Sequence, residues 1–308
     1  MGGSGGVYIP SGGTSSGELL RSAVLEEERV SYGVKVNSLL QDLLSDFNNR
    51  DTEGINGHIS AIEDALAKEN IGTVRLTYGG SVKKHTYVDG LSDVDVLARI
   101  ENTSLADAPP QEVLRYFASR LQERFPFTDI RVGNLAVTLA FSDGHQVQVL
   151  PTLSTKTGVR ISSEDGTKWS TVIRPERFAE QLTSVNQAKA GKVVPVIKLF
   201  KAINAQMGAD MKLAGYHVES LAIDAFKEYT GPPNLKDMLL HLVHSSSRAI
   251  LQPTVDVTGQ STHVDDNLGA SGSSGRKKVS AALGRLEARM KAADDKASIE
   301  EWEALVGE

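Results

Sequence analysis

Two aspartates, Asp93 and Asp95, stand two residues apart where an apolar run begins. Side chains alternate across a β-strand, so both carboxylates point to the same face if this run is a strand. Carboxylate oxygens are hard ligands that suit Mg²⁺, which proteins hold with one or two carboxylates while nucleotide phosphates complete the coordination shell. Asp93 and Asp95 are therefore predicted to bind a divalent metal ion, either Mg²⁺ or Mn²⁺.

Glycine and serine precede this acidic pair, in the sequence Gly79-Gly80-Ser81. Because glycine has no Cβ, the backbone N–H groups can approach a triphosphate closely, and the amides at the start of a helix favour an anion. The Ser81 hydroxyl can donate to the same phosphates. A Gly-Ser turn or an Asp-x-Asp pair alone is common on solvated surfaces. Their ordered combination predicts metal-dependent nucleotidyl transfer, in which Gly80 and Ser81 bind the substrate.

The elements that position these groups follow from the spacing of apolar residues. Residues 74–78 are predicted to form the strand before the glycines, and a short basic helical turn follows them. Helical spacing in 36–47 and 55–66 predicts two helices ahead of the sheet. Asp143-Gly144 predicts the turn of a hairpin. The remaining pattern predicts a helix over 111–124, strands around 130–132, 135–141 and 146–150, and helices over 178–182, 193–205, 218–226, 239–250, 279–293 and 299–306.

This order, a mixed sheet followed by helices, is typical of an α+β protein with two lobes and a cleft between them. Active sites favour such clefts. We predict a flexible N-terminal arm over residues 1–17, a catalytic lobe with its preceding helices over 18–173, and a helical lobe with C-terminal helices over 174–308. A Gly- and Ser-rich stretch, residues 269–275, is predicted to be a loop in the last part.

The composition of the 308 residues is that of a globular protein, with 40% hydrophobic and 6% aromatic residues. Cysteine is absent from the sequence, which excludes disulfides, thiolate metal sites and a cysteine nucleophile. No apolar run reaches the roughly 20 residues that a membrane span requires, and the N-terminus lacks the pattern of a signal peptide. We therefore expect a soluble, cytoplasmic protein without a membrane partner.

The net charge of −6 argues against a long nucleic acid as the partner, because such binding depends on neutralising phosphates with Lys and Arg. One basic cluster near the C-terminus is the best candidate for a local surface that could bind nucleic acid. Its helical spacing and the neighbouring acids favour a solvated helix face instead. The cluster consists of Arg276, Lys277, Lys278, Arg285, Arg289 and Lys291.

The segment 79–97 resembles the DNA polymerase beta-like nucleotidyltransferases, in the branch that contains the oligoadenylate synthases, the cyclic GMP-AMP synthases and the bacterial CD-NTases. Residues 84–93, with the sequence KHTYVDGLSD, are most similar to the CD-NTases. The resemblance implies a bilobal polymerase beta-like fold, with a mixed-sheet catalytic lobe and a helical lobe. Its weaker part extends over about residues 30–270.

The same resemblance implies an activity. It implies an enzyme that joins NTPs, ATP among them, by attack of a ribose hydroxyl on an α-phosphate with release of pyrophosphate. The implied product is a cyclic oligonucleotide second messenger of CBASS-type antiphage signalling. A regulatory protein partner encoded in the same defence system is implied as well.

The third metal ligand departs from the family pattern, because Gln148 stands where these enzymes have an acid, two residues before Leu150-Pro151. An amide oxygen can ligate Mg²⁺, but it brings no charge and accepts no proton from an attacking hydroxyl. Either two acids suffice for catalysis or the chain binds nucleotide without turnover. We favour activity because Asp93 and Asp95 are intact. Asp143 is a candidate substitute acid, but its position favours a turn residue.

Three residues of the helical half match further positions of the family. Lys198 and Lys201, one helical turn apart, correspond to the lysine that the family presents to the triphosphate, although a single Lys is more often only solvated. Tyr216 corresponds to the aromatic residue that stacks on the nucleobase, and a structural place in the helical core is an equal alternative. His217 and Glu219, beside Tyr216, either support the site or are structural.

Asp256, in a loop that resembles one near the cleft of relatives, is a further candidate. Two other functions remain open at this point. The first is a nucleotidyltransferase that extends tRNA or another polynucleotide, which would need an RNA-binding surface. The second is a catalytically silent, nucleotide-binding regulatory protein, suggested by Gln148.

Overall fold

The chain folds into a mixed β-sheet covered by helices on one face and a helical half that meets its other face. This computed structural model describes residues 16–48, 51–67, 73–88, 93–101, 104–163, 165–258 and 262–307. The helices of these residues are α1 (Ser16–Asn48), α2 (Thr52–Ala67), α3 (Gly80–Lys83), α4 (Pro110–Arg124), α5 (Pro175–Ala188), α6 (Val193–Ala205), α7 (Gly215–Lys227), α8 (Leu235–Ala249), α9 (Ser274–Asp295) and α10 (Ile299–Val306).

The sheet of the described residues runs in the order β1–β2–β5–β4–β3, and β6 pairs with β5. Its strands are β1 (Thr73–Tyr78), β2 (Val94–Glu101), β3 (Asp129–Val132), β4 (Val137–Ala140), β5 (Gln146–Ser154) and β6 (Val159–Arg160). Only the central β2–β5 pair is parallel among the ladders of these strands. The predicted mixed sheet is confirmed, and so is the turn between β4 and β5, where Gly144 has a φ of +93°.

One face of the sheet carries its hydrophobic core. Along β2 the side chains of Val94, Val96, Ala98 and Ile100 are buried, and the residues between them are half-buried. They pack in one cluster with apolar residues of α2 and α4, including Ile62 and Phe117. Because strand side chains alternate, Asp95 lies on the opposite face, toward the helical half.

The helical half has a core of its own, built from α1 and α5–α10. Val36 and Leu40 of α1 are fully buried in it, and so is Trp302 of α10. Helix α1 therefore packs with the later helices rather than beside the sheet that follows it in sequence. The domain boundaries remain predictions, and residues 1–15 of the expected arm lie outside the described residues.

The C-terminal basic cluster is not uniformly solvated, which corrects the expectation at one residue. Arg276 is fully buried at the start of α9, where it forms an ion pair with buried Asp265 at 2.8 Å. Its guanidinium also donates to the carbonyl oxygens of Ile250, Gln252 and Gly269. Such pairing is what makes the burial of a charge tolerable.

Among the described helices, none has the length and apolar character needed to cross a membrane.

Candidate active site

A cavity of about 280 Å³ lies between the polar face of the sheet and the helices α6 and α7. Residues that are distant in sequence meet there: the glycine turn, the acidic pair and side chains of both helices. Its lining comprises Gly80, Ser81, Lys84, Asp93, Asp95, Lys201, Asn204, Ala205, Lys212, Leu213, Gly215, Tyr216 and Glu219. Six of the eight site residues predicted from the sequence line this cavity.

The glycine turn lies directly against Asp95. The Gly79 N–H donates to the Asp95 carbonyl oxygen at 2.8 Å, which closes the turn onto β2. Gly80 has a φ of +43°, and a Cβ at this position would stand 1.6 Å from Asp95 Oδ2. Only glycine fits this position, both for its backbone conformation and for space. The motif therefore brings the Ser81 region and the carboxylate into one small volume.

The Asp95 carboxyl has an unusual electrostatic environment. Burial raises the pKa of Asp95 to about 6, Lys84 opposes this shift, and the negative charges of Asp93 and Glu219 add to it. The backbone N–H of Ser81 donates to the same carboxylate and favours its charged form. Two neighbouring carboxylates that repel each other are an arrangement that a bound dication relieves.

Gln148 lies beside the acidic pair, as its place in the sequence predicts. The parallel register sets Gln148 of β5 opposite Asp95 of β2. The Gln148 amide donates to Asp93 Oδ2. Its oxygen and nitrogen can exchange places by a flip of the amide, so the three side chains offer a set of hard oxygen ligands. This donor set fits Mg²⁺ or Mn²⁺.

Asp143 is not among the residues that line the cavity. It lies at the β4–β5 turn, where it accepts a hydrogen bond from the backbone N–H of His145 at 3.1 Å. Its carboxylate also contacts the ring of His58 on α2. The structure thus places Asp143 as a turn residue, which was the favoured interpretation.

The wall opposite the acidic pair is a buried cluster of charges around Glu219, whose side chain is 1% exposed. Lys84 contacts one of its carboxylate oxygens, and Lys201 Nζ contacts the other at 2.7 Å. Lys201 also donates to the carbonyl oxygen of Thr86 at 3.0 Å. The two lysines and one glutamate leave a net positive charge beside the cavity.

The pKa shifts in this cluster reflect competition between burial and pairing. Burial lowers the pKa of the Lys201 ammonium, and the Glu219 carboxylate opposes the shift. For Glu219, burial by itself raises the pKa, but Lys84 and Lys201 together hold it below its usual value. The pairing of Glu219 with Lys84 has no signal in the sequence, because the two residues are 135 positions apart.

Lys198 does not share the cavity with Lys201, although they lie one helical turn apart. Its ammonium donates to Asn48 at the end of α1, and it lines a different depression of about 600 Å³ together with residues of α5. The two side chains leave the helix in different directions around its axis, so that Lys201 faces the sheet and Lys198 faces α1.

Tyr216 stands where the cavity meets a second, more apolar cavity of about 180 Å³. Its ring lies 4.5 Å from that of Phe178, and Lys84 Nζ stands 5.2 Å from its centroid. Its hydroxyl donates to Asp256 at 2.9 Å. Burial raises the pKa of the Tyr216 phenol, and the bond to Asp256 adds to this. Asp256 thus holds the tyrosine in place.

His217 points away from the cavity, in contrast to Tyr216. It is buried, with its Nε2 3.2 Å from Asp265 Oδ2. Burial lowers the pKa of His217 to about 4, Asp265 opposes the shift and Arg276 adds to it.

Two cavity residues have no signal in the sequence that would have found them. Asn204 makes two hydrogen bonds of 2.8 Å with the backbone of Leu213 and so fixes the segment between α6 and α7. Lys212 precedes this leucine, and its ammonium-bearing side chain lines the cavity. Asn204 is a polar residue inside the predicted helix 193–205, Lys212 lies outside the predicted helices, and neither residue belongs to a motif.

No protein-family profile and no curated protein sequence match this chain. Solved structures do match it. CdnC of Escherichia coli MS115-1, solved with ATP, has a TM-score of 0.64 and 17% sequence identity over 92% of this chain and 97% of CdnC. The same protein has also been solved as a complex with HORMA-deltaN.

Two further solved structures share the architecture. The CD-NTase CdnG of Bradyrhizobium diazoefficiens, in complex with GTP, has a TM-score of 0.63 at 15% identity over 82% of this chain and 89% of CdnG. The Vibrio cholerae cyclic AMP-GMP synthase DncV has a TM-score of 0.62 at 11% identity over 96% of this chain and 91% of DncV. The chain therefore has the bilobal, polymerase beta-like α+β fold of the bacterial CD-NTases, as expected.

Proposed function

We propose that this chain is a nucleotidyltransferase that joins NTPs, ATP among them, into a cyclic oligonucleotide. One observation carries the proposal: the Asp93–Asp95 pair lies in one cavity with the Gly80-Ser81 turn and with Lys201. Acids for a metal ion, small residues for close approach and a buried cation are the groups that attack of a hydroxyl on an α-phosphate requires. The fold shared with a cyclic AMP-GMP synthase supports the cyclic product.

In the proposed mechanism, Asp93 and Asp95 hold the metal ion, with the amide oxygen of Gln148 as a third ligand. A bound Mg²⁺ or Mn²⁺ ion supplies Lewis-acid stabilisation of charge on the phosphate oxygens. Gly80 and Ser81 bind the phosphates through the backbone and the hydroxyl group. Gln148 accepts no proton, so the proton of the attacking ribose hydroxyl passes to solvent water, while the bond from the α-phosphorus to pyrophosphate breaks and pyrophosphate leaves.

The opposite wall binds the rest of the nucleotide. Lys201, oriented by Glu219, faces the triphosphate as a point charge. The Tyr216 ring, held by Asp256, stacks on the base without selecting it, because every base has a π-face. Lys198 was a candidate for the same triphosphate, and its contact with Asn48 favours a role in supporting α6 instead.

The test is product analysis by mass spectrometry after incubation with four NTPs and Mg²⁺ or Mn²⁺ and treatment with phosphatase. We expect a phosphatase-resistant cyclic oligonucleotide that disappears in the Asp93→Asn, Asp95→Asn double variant. Linear products that grow on an added RNA would instead favour the polynucleotide-extending alternative. Products that persist in the double variant would refute the assigned metal site.

A silent, nucleotide-binding protein is the second candidate, because the Gln148 amide donates to Asp93 and supplies no third carboxylate. The Gln148→Asp variant separates the two candidates. An active enzyme forms product with glutamine or with aspartate at position 148. A silent protein binds ATP, which raises the Tm of the protein, but it forms product only when aspartate replaces the glutamine.

A role in CBASS-type antiphage signalling and a regulatory protein partner belong to the same proposal. The motif resemblance and the solved CdnC:HORMA-deltaN complex support it. Co-expression with the products of adjacent genes, followed by affinity capture, tests the partner. The expected result is a stoichiometric complex whose product yield differs from that of the chain alone.

A further inference from the structure

A second group of metal-ligating side chains lies outside the cavity, where α2 meets the β4–β5 turn. It consists of His58 on α2 together with Asp143 and His145 on the turn, and one potential ligand atom from each lies within 4.8 Å of the others. His58 Nε2 is 2.6 Å from Asp143 Oδ2, and His145 Nδ1 is 3.2 Å from Asp143 Oδ1. These atoms converge although His58 and Asp143 are 85 residues apart in sequence.

The ligand atoms are held in place by their surroundings. The His58 ring stacks on Phe141 with a centroid distance of 3.7 Å and an interplanar angle of 12°. The backbone N–H of His145 donates to Asp143 Oδ1, which orients the carboxylate toward the turn. Packing and a second hydrogen bond of this kind are what keep metal ligands in their productive orientation.

His145 Nδ1 lies 3.2 Å from Asp143 Oδ1, but this contact does not have the geometry of a hydrogen bond. His145 Nδ1 is buried and makes no hydrogen bond of acceptable geometry with the described residues. A buried polar atom without a hydrogen bond carries a free-energy cost. Coordination of a cation at the point where the three side chains converge would satisfy this atom.

The chemistry of the group selects the kind of ion. Two imidazoles and one carboxylate are ligands typical of Zn²⁺ and its transition-metal neighbours, whereas Mg²⁺ prefers oxygen ligands alone. Zn–ligand bonds of roughly 2.0–2.1 Å place tetrahedral ligand atoms about 3.3 Å apart. The observed separation of 3.2 Å matches this geometry, and the separation of 2.6 Å must widen toward it when an ion replaces the direct contact between His58 and Asp143.

We propose that His58, Asp143 and His145 form a site for Zn²⁺ or a similar transition-metal ion that is separate from the Asp93–Asp95 site. The ion joins α2 to the β4–β5 turn. His145 lies three residues before Gln148 on the same chain segment, so the ion also fixes the start of the strand that carries Gln148. Asp143 is 43% exposed, which leaves the fourth coordination position to water.

The test measures Zn²⁺ binding to the full chain by equilibrium dialysis and elemental analysis, without a polyhistidine tag. Excess Mg²⁺ is present, and the titration is repeated in the Asp93→Asn, Asp95→Asn variant, so that the acidic pair does not contribute. We expect one Zn²⁺ per chain in both proteins. Co²⁺ in place of Zn²⁺ should show the visible absorption of a tetrahedral site.

Single substitutions assign the binding to these residues. His58→Ala and His145→Ala should each weaken Zn²⁺ at least roughly 100-fold, because even loss of an outer partner of a metal ligand costs roughly 10–100-fold. His263→Gln is the matched control, since His263 makes a similar surface contact with Asp266 at 2.9 Å. It should bind Zn²⁺ as the wild type does.

Folding of each variant is checked in EDTA, where its Tm should equal that of the metal-free wild type. Zn²⁺ should raise the Tm of the wild type and of His263→Gln and leave that of His145→Ala unchanged. Asp143→Asn, which keeps the shape of the turn, serves if an alanine variant fails to fold. Absence of Zn²⁺ binding by the wild type, or equal binding by wild type and His145→Ala, would overturn the proposal. These outcomes are independent of nucleotidyl transfer.

Discussion

Two of the buried charge clusters among the described residues differ in what they face. In the cavity cluster, Lys84 and Lys201 flank Glu219, and all three side chains line the space opposite the acidic pair. In the closed cluster, Arg276 and Asp265 are fully buried with His217, and the guanidinium nitrogens donate to carbonyl oxygens and to the carboxylate.

The two clusters differ in whether their positive charges are fully paired. The closed cluster pairs its charges internally, so its contribution is to hold α9, α7 and the connecting loop together. The cavity cluster carries one positive charge more than it neutralises and borders open space, so it can pair with an anion. A buried ion pair is therefore a structural feature in one place and a binding surface in the other, although both have similar compositions.

The largest expected effect comes from breaking the closed cluster. Asp265→Ala leaves Arg276 buried without its carboxylate, which costs roughly 3–5 kcal/mol in the free energy of unfolding. Urea unfolding measures this change. Asp266→Ala is the control, because Asp266 is an exposed neighbour whose pair with His263 is worth at most about 1 kcal/mol. Equal losses in the two variants would contradict the structural role of the closed cluster.

Acidification should weaken the same cluster through His217. Its pKa falls from 6.5 in the unfolded chain to about 4 in the folded protein. Between these values the unfolded state binds more protons, so the free energy of unfolding falls as the pH drops, by roughly 3 kcal/mol in total. The measurement is the difference between wild type and His217→Gln in urea unfolding from pH 7 to pH 4.

Carboxylates titrate in the same range, and the comparison with His217→Gln removes their contribution. If His217→Gln showed the same slope as the wild type, His217 would not be the group that links this cluster to pH.

Substitution of Lys201 and Lys198, the two lysines of α6, tests whether the cavity cluster binds an anion. Lys201→Ala should weaken ATP binding about 10-fold or more, because a hydrogen bond to a charged group is worth about 1.5–3 kcal/mol. Lys198→Ala is the matched control on the same helix, since Lys198 faces Asn48. Calorimetric titration with ATP and Mg²⁺ measures both, and equal weakening would remove the distinction between the two lysines.

The smallest effect concerns the bond that holds the base-stacking ring. Tyr216→Phe removes the hydrogen bond to Asp256 and should cost about 1 kcal/mol in the free energy of unfolding, because Thr258 still donates to Asp256. ATP affinity should change little, since the ring remains, whereas Tyr216→Ala should weaken it clearly. A loss of affinity in Tyr216→Phe as large as in Tyr216→Ala would show that the ring does not stack on the base.

Features with a short-range cause were predictable from the sequence. The period of apolar residues predicted α6 and α10 at the residues where they begin and end. Strand alternation predicted a common face for Asp93 and Asp95, and Asp143-Gly144 marked the hairpin turn. The absence of Cβ at Gly80 predicted a close approach, although the structure shows that the nearest group is the Asp95 carboxylate.

Features with a long-range cause were not predictable in this way. The helical period did not show that α1 packs against the later helices, or that Lys198 and Lys201 serve different cavities. The spacing of the basic residues suggested a solvated face, yet Arg276 is buried because Asp265 and three carbonyl oxygens meet it there.

The sequence by itself determined the local geometry of this protein: the strand that carries Asp95 and begins directly after Asp93, the glycine turn before it and the helices of the second half. Tertiary structure decided the electrostatics, because a charge is stabilised or destabilised by whatever distant residues surround it and by its distance from water. The pairing of Glu219 with two lysines and the contact of His58 with Asp143 join residues that are distant in sequence, so only the tertiary structure brings them together.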